Sequence, residues 1–217
     1  MSEIIRTFKD LTPEEQKLAG GKGGSLARLV QAGLPVPDGF VILPAAFVND
    51  ALSAEAWMQV QAHLNRLRNT DNQGAFAVRS SAMSEDSAQA SFAGEFETVL
   101  NVRTDDAIHR AIHTVYHSRQ NERVQAYTQA KGLAPGEGGH EIAVIVQILV
   151  RADSAGVLFT ANPVTGQRDH AMISAAWGLG EAIVGGLVTP DTLIVEKATC
   201  HVPVSYTHLT LPTKRIV

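Results

Sequence analysis

The chain has 217 residues, is 45% hydrophobic and 18% charged, and carries a formal net charge of −4. That balance describes a globular chain long enough for one large domain or two small lobes. It offers no basic field for nucleic acid or an anionic membrane. The single cysteine, Cys200, excludes an internal disulfide, residues 1–10 lack the apolar core of a signal peptide, and no apolar run approaches the roughly 20 residues of a membrane span, so a cytoplasmic protein is expected.

In chain order, Gly20-Gly-Lys-Gly-Gly24 reads as a loop feeding a helix over residues 25–32, where Leu26, Leu29 and Val30 recur at helical spacing. Gly33 stops that helix, and Pro35 and Pro37 prevent its resumption. Residues 40–43 predict a short strand, Pro44 a helix start, and residues 54–68 a further helix. Phe76-Ala-Val-Arg79 predicts a strand that runs into a polar loop over residues 80–90, and residues 98–102 predict the next strand. A long helix is expected over residues 105–131, capped by the side-chain oxygen of Thr104 or Asp105.

The glycine-rich stretch 132–140 is the best candidate for a linker between lobes. After it, residues 142–150 are nearly all apolar and β-branched, as in a strand buried on both faces. Strands at 156–161 and 171–175, a turn at Asn162-Pro-Val-Thr-Gly166 between them, and a strand at 192–195 complete a β-rich second lobe. The fold class expected is α+β, with lobes of about 1–131 and 140–203 and a cleft between them. The register changes abruptly near Val204. Ten residues, Val204 to Thr213, match one reading frame of the reverse complement of a transposon-based sequencing adapter. Residues 204–217 are therefore read as an adapter-derived tail on a C-terminally truncated domain.

Four places carry chemistry. In Gly20-Gly-Lys22-Gly-Gly24 the glycines allow backbone N–H groups close to a phosphate, the following helix points its positive end there, and Lys22 adds a mobile charge. The spacing is not that of a P-loop, and most glycine-rich turns before helices are only turns. Arg79-Ser-Ser81 leaves a strand with a forked donor and two hydroxyls, a good phosphate partner, although a surface arginine at a strand end is common. Phe92-Ala-Gly94-Glu-Phe96-Glu-Thr98 could close over a ligand or form an ordinary hairpin. Gln147-Ile-Leu-Val150 ends an apolar strand, where backbone groups and apolar faces suit adenine as well as a plain core. His109, His113 and His117 share a helix face, which reads as a solvated face with no metal.

Together, Gly20-Gly-Lys-Gly, Pro35-Val-Pro-Asp-Gly-Phe40, Val78-Arg-Ser-Ser-Ala, Ser91-Phe-Ala-Gly94, Ser154-Ala-Gly-Val and Trp177-Gly-Leu-Gly-Glu181 resemble, in order, the ATP/AMP-binding domain of the phosphoenolpyruvate synthase and pyruvate phosphate dikinase family. The resemblance implies an ATP-grasp-like fold with ATP between two lobes. It implies that Gly21, Lys22 and Arg79 hold phosphates, that Gly94 and Thr98 belong to a phosphate-covering loop, and that Gln147, Ile148 and Leu149 meet adenine. Rifampin phosphotransferases, which share this first domain, place an ATP-contacting arginine where Arg123 stands, although Tyr116-His-Ser replaces their Trp-Ala-Ser. Glu181 takes a supporting role. The implied reaction moves a phosphoryl group from ATP to a histidine of a downstream domain and then to pyruvate, with Mg²⁺ held by a later acidic segment. The phosphohistidine and pyruvate-binding domains are absent from this chain. A rifampin phosphotransferase-like enzyme, or a nucleotide-binding fragment without turnover, is the alternative.

Overall fold

A computed structural model describes residues 4–70, 74–82, 86–87, 90–91, 97–120, 142–163 and 165–206. The chain divides into two compact units, Met1–Leu149 and Val150–Val217.

The first unit is built on a five-stranded antiparallel sheet. Its strands are β1 (Ile5–Thr7), β2 (Gly39–Ile42), β5 (Phe76–Ala82), β8 (Thr98–Val102) and β9 (Ile142–Ile148), in the order β1-β2-β9-β5-β8. Between β2 and β5 lie the short pair β3 (Phe47–Val48) and β4 (Ala51–Leu52), and after β5 the short pair β6 (Asp86–Ser87) and β7 (Ala90–Ser91). One face of the sheet is covered by α3 (Ala54–Thr70) and α4 (Asp105–His117), whose Val60, Leu64, Ile108 and Ile112 pack on Phe76, Val78, Val144 and Val146. The other face meets α1 (Pro13–Leu18) and α2 (Gly20–Gln31) through a second core of Ala19, Ala27, Val41, Ala143 and Ile145. Burial from both sides explains the unbroken apolar run of β9, in which Ile142 through Val146 are 0% exposed.

Several sequence expectations change. The glycines at 20–24 are not a loop: α2 is helical from Gly20, which turns the chain from α1 with φ +73°. α1 itself was not foreseen, although Thr12 and Glu15 form a capping box at its start. Pro44 begins only a 3₁₀ turn, because β3 and β4 follow at once. Ser80 and Ser81 lie in β5 rather than in a loop, since β9 pairs with β5 as far as Ala82. Thr104 caps α4 by accepting from the Ala107 amide. α4 ends at His117 in a 3₁₀ turn over Ser118–Gln120, and the rest of the helix expected to residue 131 lies outside the described residues. The linker at 132–140 lies outside the described residues. The boundary falls after Leu149, and β9 belongs to the first unit, where it is hydrogen-bonded to β2 and β5.

The second unit is a four-stranded antiparallel sheet, β10 (Ser154–Phe159), β11 (His170–Trp177), β12 (Asp191–Glu196) and β13 (Val204–Tyr206) in that order, with the single turn α5 (Glu181–Val184) before β12. Asn162, buried, shapes the turn between β10 and β11: its side-chain oxygen accepts from the Thr165 amide and its carbonyl from Gly166. Val204–Tyr206, set aside in the sequence reading, pairs with β12 as a strand. No helix among the described residues is long and apolar enough to cross a membrane.

Candidate functional site

The site grows from β5. Alternation along the strand sends Phe76, Val78 and Ala82 into the core under α3 and α4. Ala77, Arg79 and Ser81 therefore face the α1–α2 side. Residues directly opposite on neighbouring strands share a face. Arg79 pairs with Thr98 on one side and Ile145 on the other, Ser81 with Ala143, and Ala77 with Gln147. Thus Arg79, Thr98 and Gln147, separated by up to 68 residues in sequence, stand on one face of one sheet.

The glycine-rich start of α2 meets this face at Ser81. The Gly23 amide donates to the Ser81 hydroxyl at 2.9 Å, and a Cβ on Gly20 would lie 2.5 Å from the Ser81 carbonyl oxygen. A Cβ on Gly24 would lie 2.8 Å from the Gln16 carbonyl. These glycines let the helix start come hard against both a strand and α1, which no side chain there would permit. Gly21 and Lys22 lie half-buried in the first turn, one and two residues from that contact. No side chain caps α2 and no acidic residue occupies its first turn, so its positive end is not neutralised from within the helix. Arg79 is half-buried, and no ion pair or hydrogen bond within the described residues engages its guanidinium.

Ser80 and Ser81 are not the open hydroxyls expected from the sequence. They are 1% and 0% exposed, and Ser81 serves the α2 contact. The signal available in the sequence was a serine inside a strand paired with a glycine run, and only the fold brings them together.

The end of β9 is tied down. The Gln147 side-chain amide donates to the Pro37 carbonyl at 2.9 Å, the Ile148 amide to the Asp38 carbonyl at 2.9 Å, and the Leu149 amide to the Ala75 carbonyl at 2.9 Å. Sequence reasoning missed Pro37, Asp38 and Ala75 as neighbours of this segment. Glu181 is exposed at the first residue of α5 in the second unit. Gly94 and Arg123 lie outside the described residues, as does Glu85.

The three histidines of α4 do share a face: the His113 and His117 rings are 4.1 Å apart, and Trp57 meets His109 edge-on at 4.7 Å. Desolvation, followed by His117 and His109, lowers the His113 pKa below its ordinary value. No group of three or more His, Cys, Asp or Glu among the described residues is arranged to hold a metal ion. An open depression of about 510 Å³ lies between β8 and α4, lined by Asn101, Arg103, Arg110 and Thr114, and none of the sequence-predicted site residues lines it.

Comparison with known proteins identifies the family. Residues 43–213 match the family model described as pyruvate phosphate dikinase, AMP/ATP-binding domain. That span includes β5 and β9 and begins after α2. The prodigiosin synthesizing transferase PigC of Serratia marcescens is 36% identical over 221 residues, covering 90% of this chain and 24% of the relative. The uncharacterized phosphotransferase YvkC of Bacillus subtilis is 35% identical over 206 residues, covering 86% and 24%. A probable phosphoenolpyruvate synthase of Methanocaldococcus jannaschii is 33% identical over 241 residues, covering 92% and 20%. The chain thus spans about a quarter or less of the length of these relatives. With the match covering most of the sequence, the chain belongs to the pyruvate phosphate dikinase AMP/ATP-binding domain family.

Proposed function

We propose that the first unit binds ATP, with the start of α2 and Arg79 holding the phosphates and the end of β9 meeting the base. The observation that carries this reading is the Gly23 to Ser81 hydrogen bond, which joins the glycine-rich motif to the strand that bears Arg79. A helix N-terminus with backbone amides, Lys22 beside it and the half-buried Arg79 nearby form a cationic, donor-rich surface suited to a polyphosphate. Thr98, opposite Arg79, adds a hydroxyl on the same face. The resemblance adds Gly94 and Arg123 as further ligands and Glu181 as a supporting residue. It also suggests that the two α+β units are the lobes of an ATP-grasp-like domain.

In the full-length protein the proposed reaction carries a phosphoryl group from ATP, by way of a histidine of a downstream domain, to pyruvate, while water takes up the other phosphate, so that ATP, pyruvate and water give phosphoenolpyruvate, AMP and phosphate. For this domain the work is positioning and charge stabilisation: Lys22 and Arg79 hold the phosphate oxygens while negative charge shifts among them. Mg²⁺ would offset phosphate charge, and the resemblance assigns its ligands to a later acidic segment. The relatives include both a probable phosphoenolpyruvate synthase and a prodigiosin synthesizing transferase, which supports an acceptor chosen by other domains. The chemistry proposed suits the cytoplasm, where ATP is abundant.

Calorimetric titration of ATP into the full chain and its Lys22→Ala/Arg79→Ala variant tests the site. Each charge-assisted contact removed should weaken binding about tenfold or more, so the double variant should lose at least about 100-fold. Unchanged affinity in a folded double variant would remove the phosphate assignment.

A further inference from the structure

The sheet of the first unit ends at β8. Among the described residues β8 pairs with β5 alone, so its outer backbone edge carries no strand there. An edge of unpaired N–H and C=O groups is a template for another extended chain. Beside this edge, residues 99–104 and α4 form the walls of the open depression of about 510 Å³. Its α4 wall is Ala107, Arg110, Ala111 and Thr114, spaced at three, four and seven residues from the first, which places all of them on one helix face. Ala107 and Ala111 end at Cβ, so another backbone can come close to the helix between the longer side chains. An exposed sheet edge is where an extended peptide adds as a further strand, and side chains beside that edge select which peptide.

Charge identifies the occupant. The described residues that line the depression include Arg103 and Arg110 and no acidic side chain, in a chain whose net charge is −4. Of the two carboxylates in the first turn of α4, Asp105 is held by Arg68 at 2.6 Å, and Asp106 does not line the depression. A second copy of the same edge is a poor occupant, because it would set arginine against arginine. Leu100 and Asn101 also stand together opposite Ala77, a bulge with Asn101 at φ +58° that interrupts regular pairing between like edges. A peptide with carboxylates has the complementary charge at both arginines.

We propose that this groove docks a short acidic peptide segment in extended conformation, which pairs its backbone with β8 and presents carboxylates to Arg103 and Arg110. Arg103 follows β8 and Arg110 stands on α4, so the groove has a cation on its sheet side and another on its helix side. None of the described residues assigned to phosphate or base lines the groove, and the inference stands apart from the nucleotide reading.

The test is fluorescence anisotropy of the full chain with labelled hexapeptides: one of alternating Val and Glu, one of alternating Val and Lys, and the Val-Glu peptide methylated at every backbone nitrogen. The Val-Glu peptide should bind about tenfold or more tighter than either of the others, since one lacks the complementary charge and the other cannot donate to a strand. Arg103→Glu with Arg110→Glu should weaken it about tenfold or more, whereas Arg103→Lys with Arg110→Lys keeps the charge and should stay within about threefold. Both arginines are exposed, thermal melts check that the variants fold, and the comparison of peptides on the wild type needs no variant. Failure of the Val-Glu peptide to bind overturns the inference. Equal binding of the methylated peptide overturns the strand pairing, and equal binding of the Val-Lys peptide, or full affinity in the folded Arg103→Glu/Arg110→Glu variant, overturns the role of the arginines.

Discussion

Gly20 and Gly33 both hold positive φ, +73° and +77°, but their surroundings differ. Nothing lies within 4 Å of a Cβ built on Gly33, whereas one on Gly20 would meet the Ser81 carbonyl oxygen at 2.5 Å and its carbon at 2.7 Å. Gly33→Ala should therefore cost only backbone strain, about 1 kcal/mol. Gly20→Ala adds a clash with backbone that cannot swing aside, for a total of about 2–4 kcal/mol. Urea unfolding of both variants checks this, and equal stabilities would deny the close contact between α2 and β5. The same contact changes how the glycine motif is understood. Read as sequence, its glycines suit phosphate approach; in the fold, Gly20, Gly23 and Gly24 are also required by packing.

At the scale of elements, α1 is held at its start by Glu15. Burial alone would raise the Glu15 pKa. The Thr12 amide, Arg6 at 2.7 Å and the Thr12 hydroxyl outweigh it and hold the carboxyl below its ordinary range. A carboxyl whose pKa is depressed by folding contributes stability above its unfolded pKa, and loses it as pH falls through the folded value. Glu15→Gln should thus destabilise the protein by about 0.5–1 kcal/mol at neutral pH, with the gap to wild type closing as pH drops below about 4. Urea unfolding across that range measures it, and a gap that persists in acid would mean that the contribution is not ionic. α1 was illegible in the sequence because its helix is only six residues long and shows no periodic stripe; its capping box was the one available signal. β8, the start of α3, the Thr104 cap and the buried character of β9 were legible, each being a local pattern. The partners of β9 were not. Its composition shows that both faces are covered, but pairing with β2 and β5 joins residues about 60 to 110 positions apart, and nothing local encodes that choice. For the same reason the facing of Arg79 and Thr98 was not readable, although each had been singled out.

The molecule as a whole is two units of one family domain, and it spans about a quarter or less of the length of PigC, YvkC and the Methanocaldococcus jannaschii relative. What this domain can contribute to any acceptor is a way to hold ATP, and the account stands on the phosphate chain lying where α2 and β5 meet. One series of titrations examines that directly: adenosine, AMP and ATP, each with the wild type and with the Lys22→Ala/Arg79→Ala variant. If the two cations hold phosphates, the variant should bind adenosine as the wild type does, and its deficit should grow with each added phosphate to about 100-fold or more for ATP. A deficit of the same size for adenosine as for ATP would show that the two residues support the fold or the base and not the phosphates, and would contradict the account.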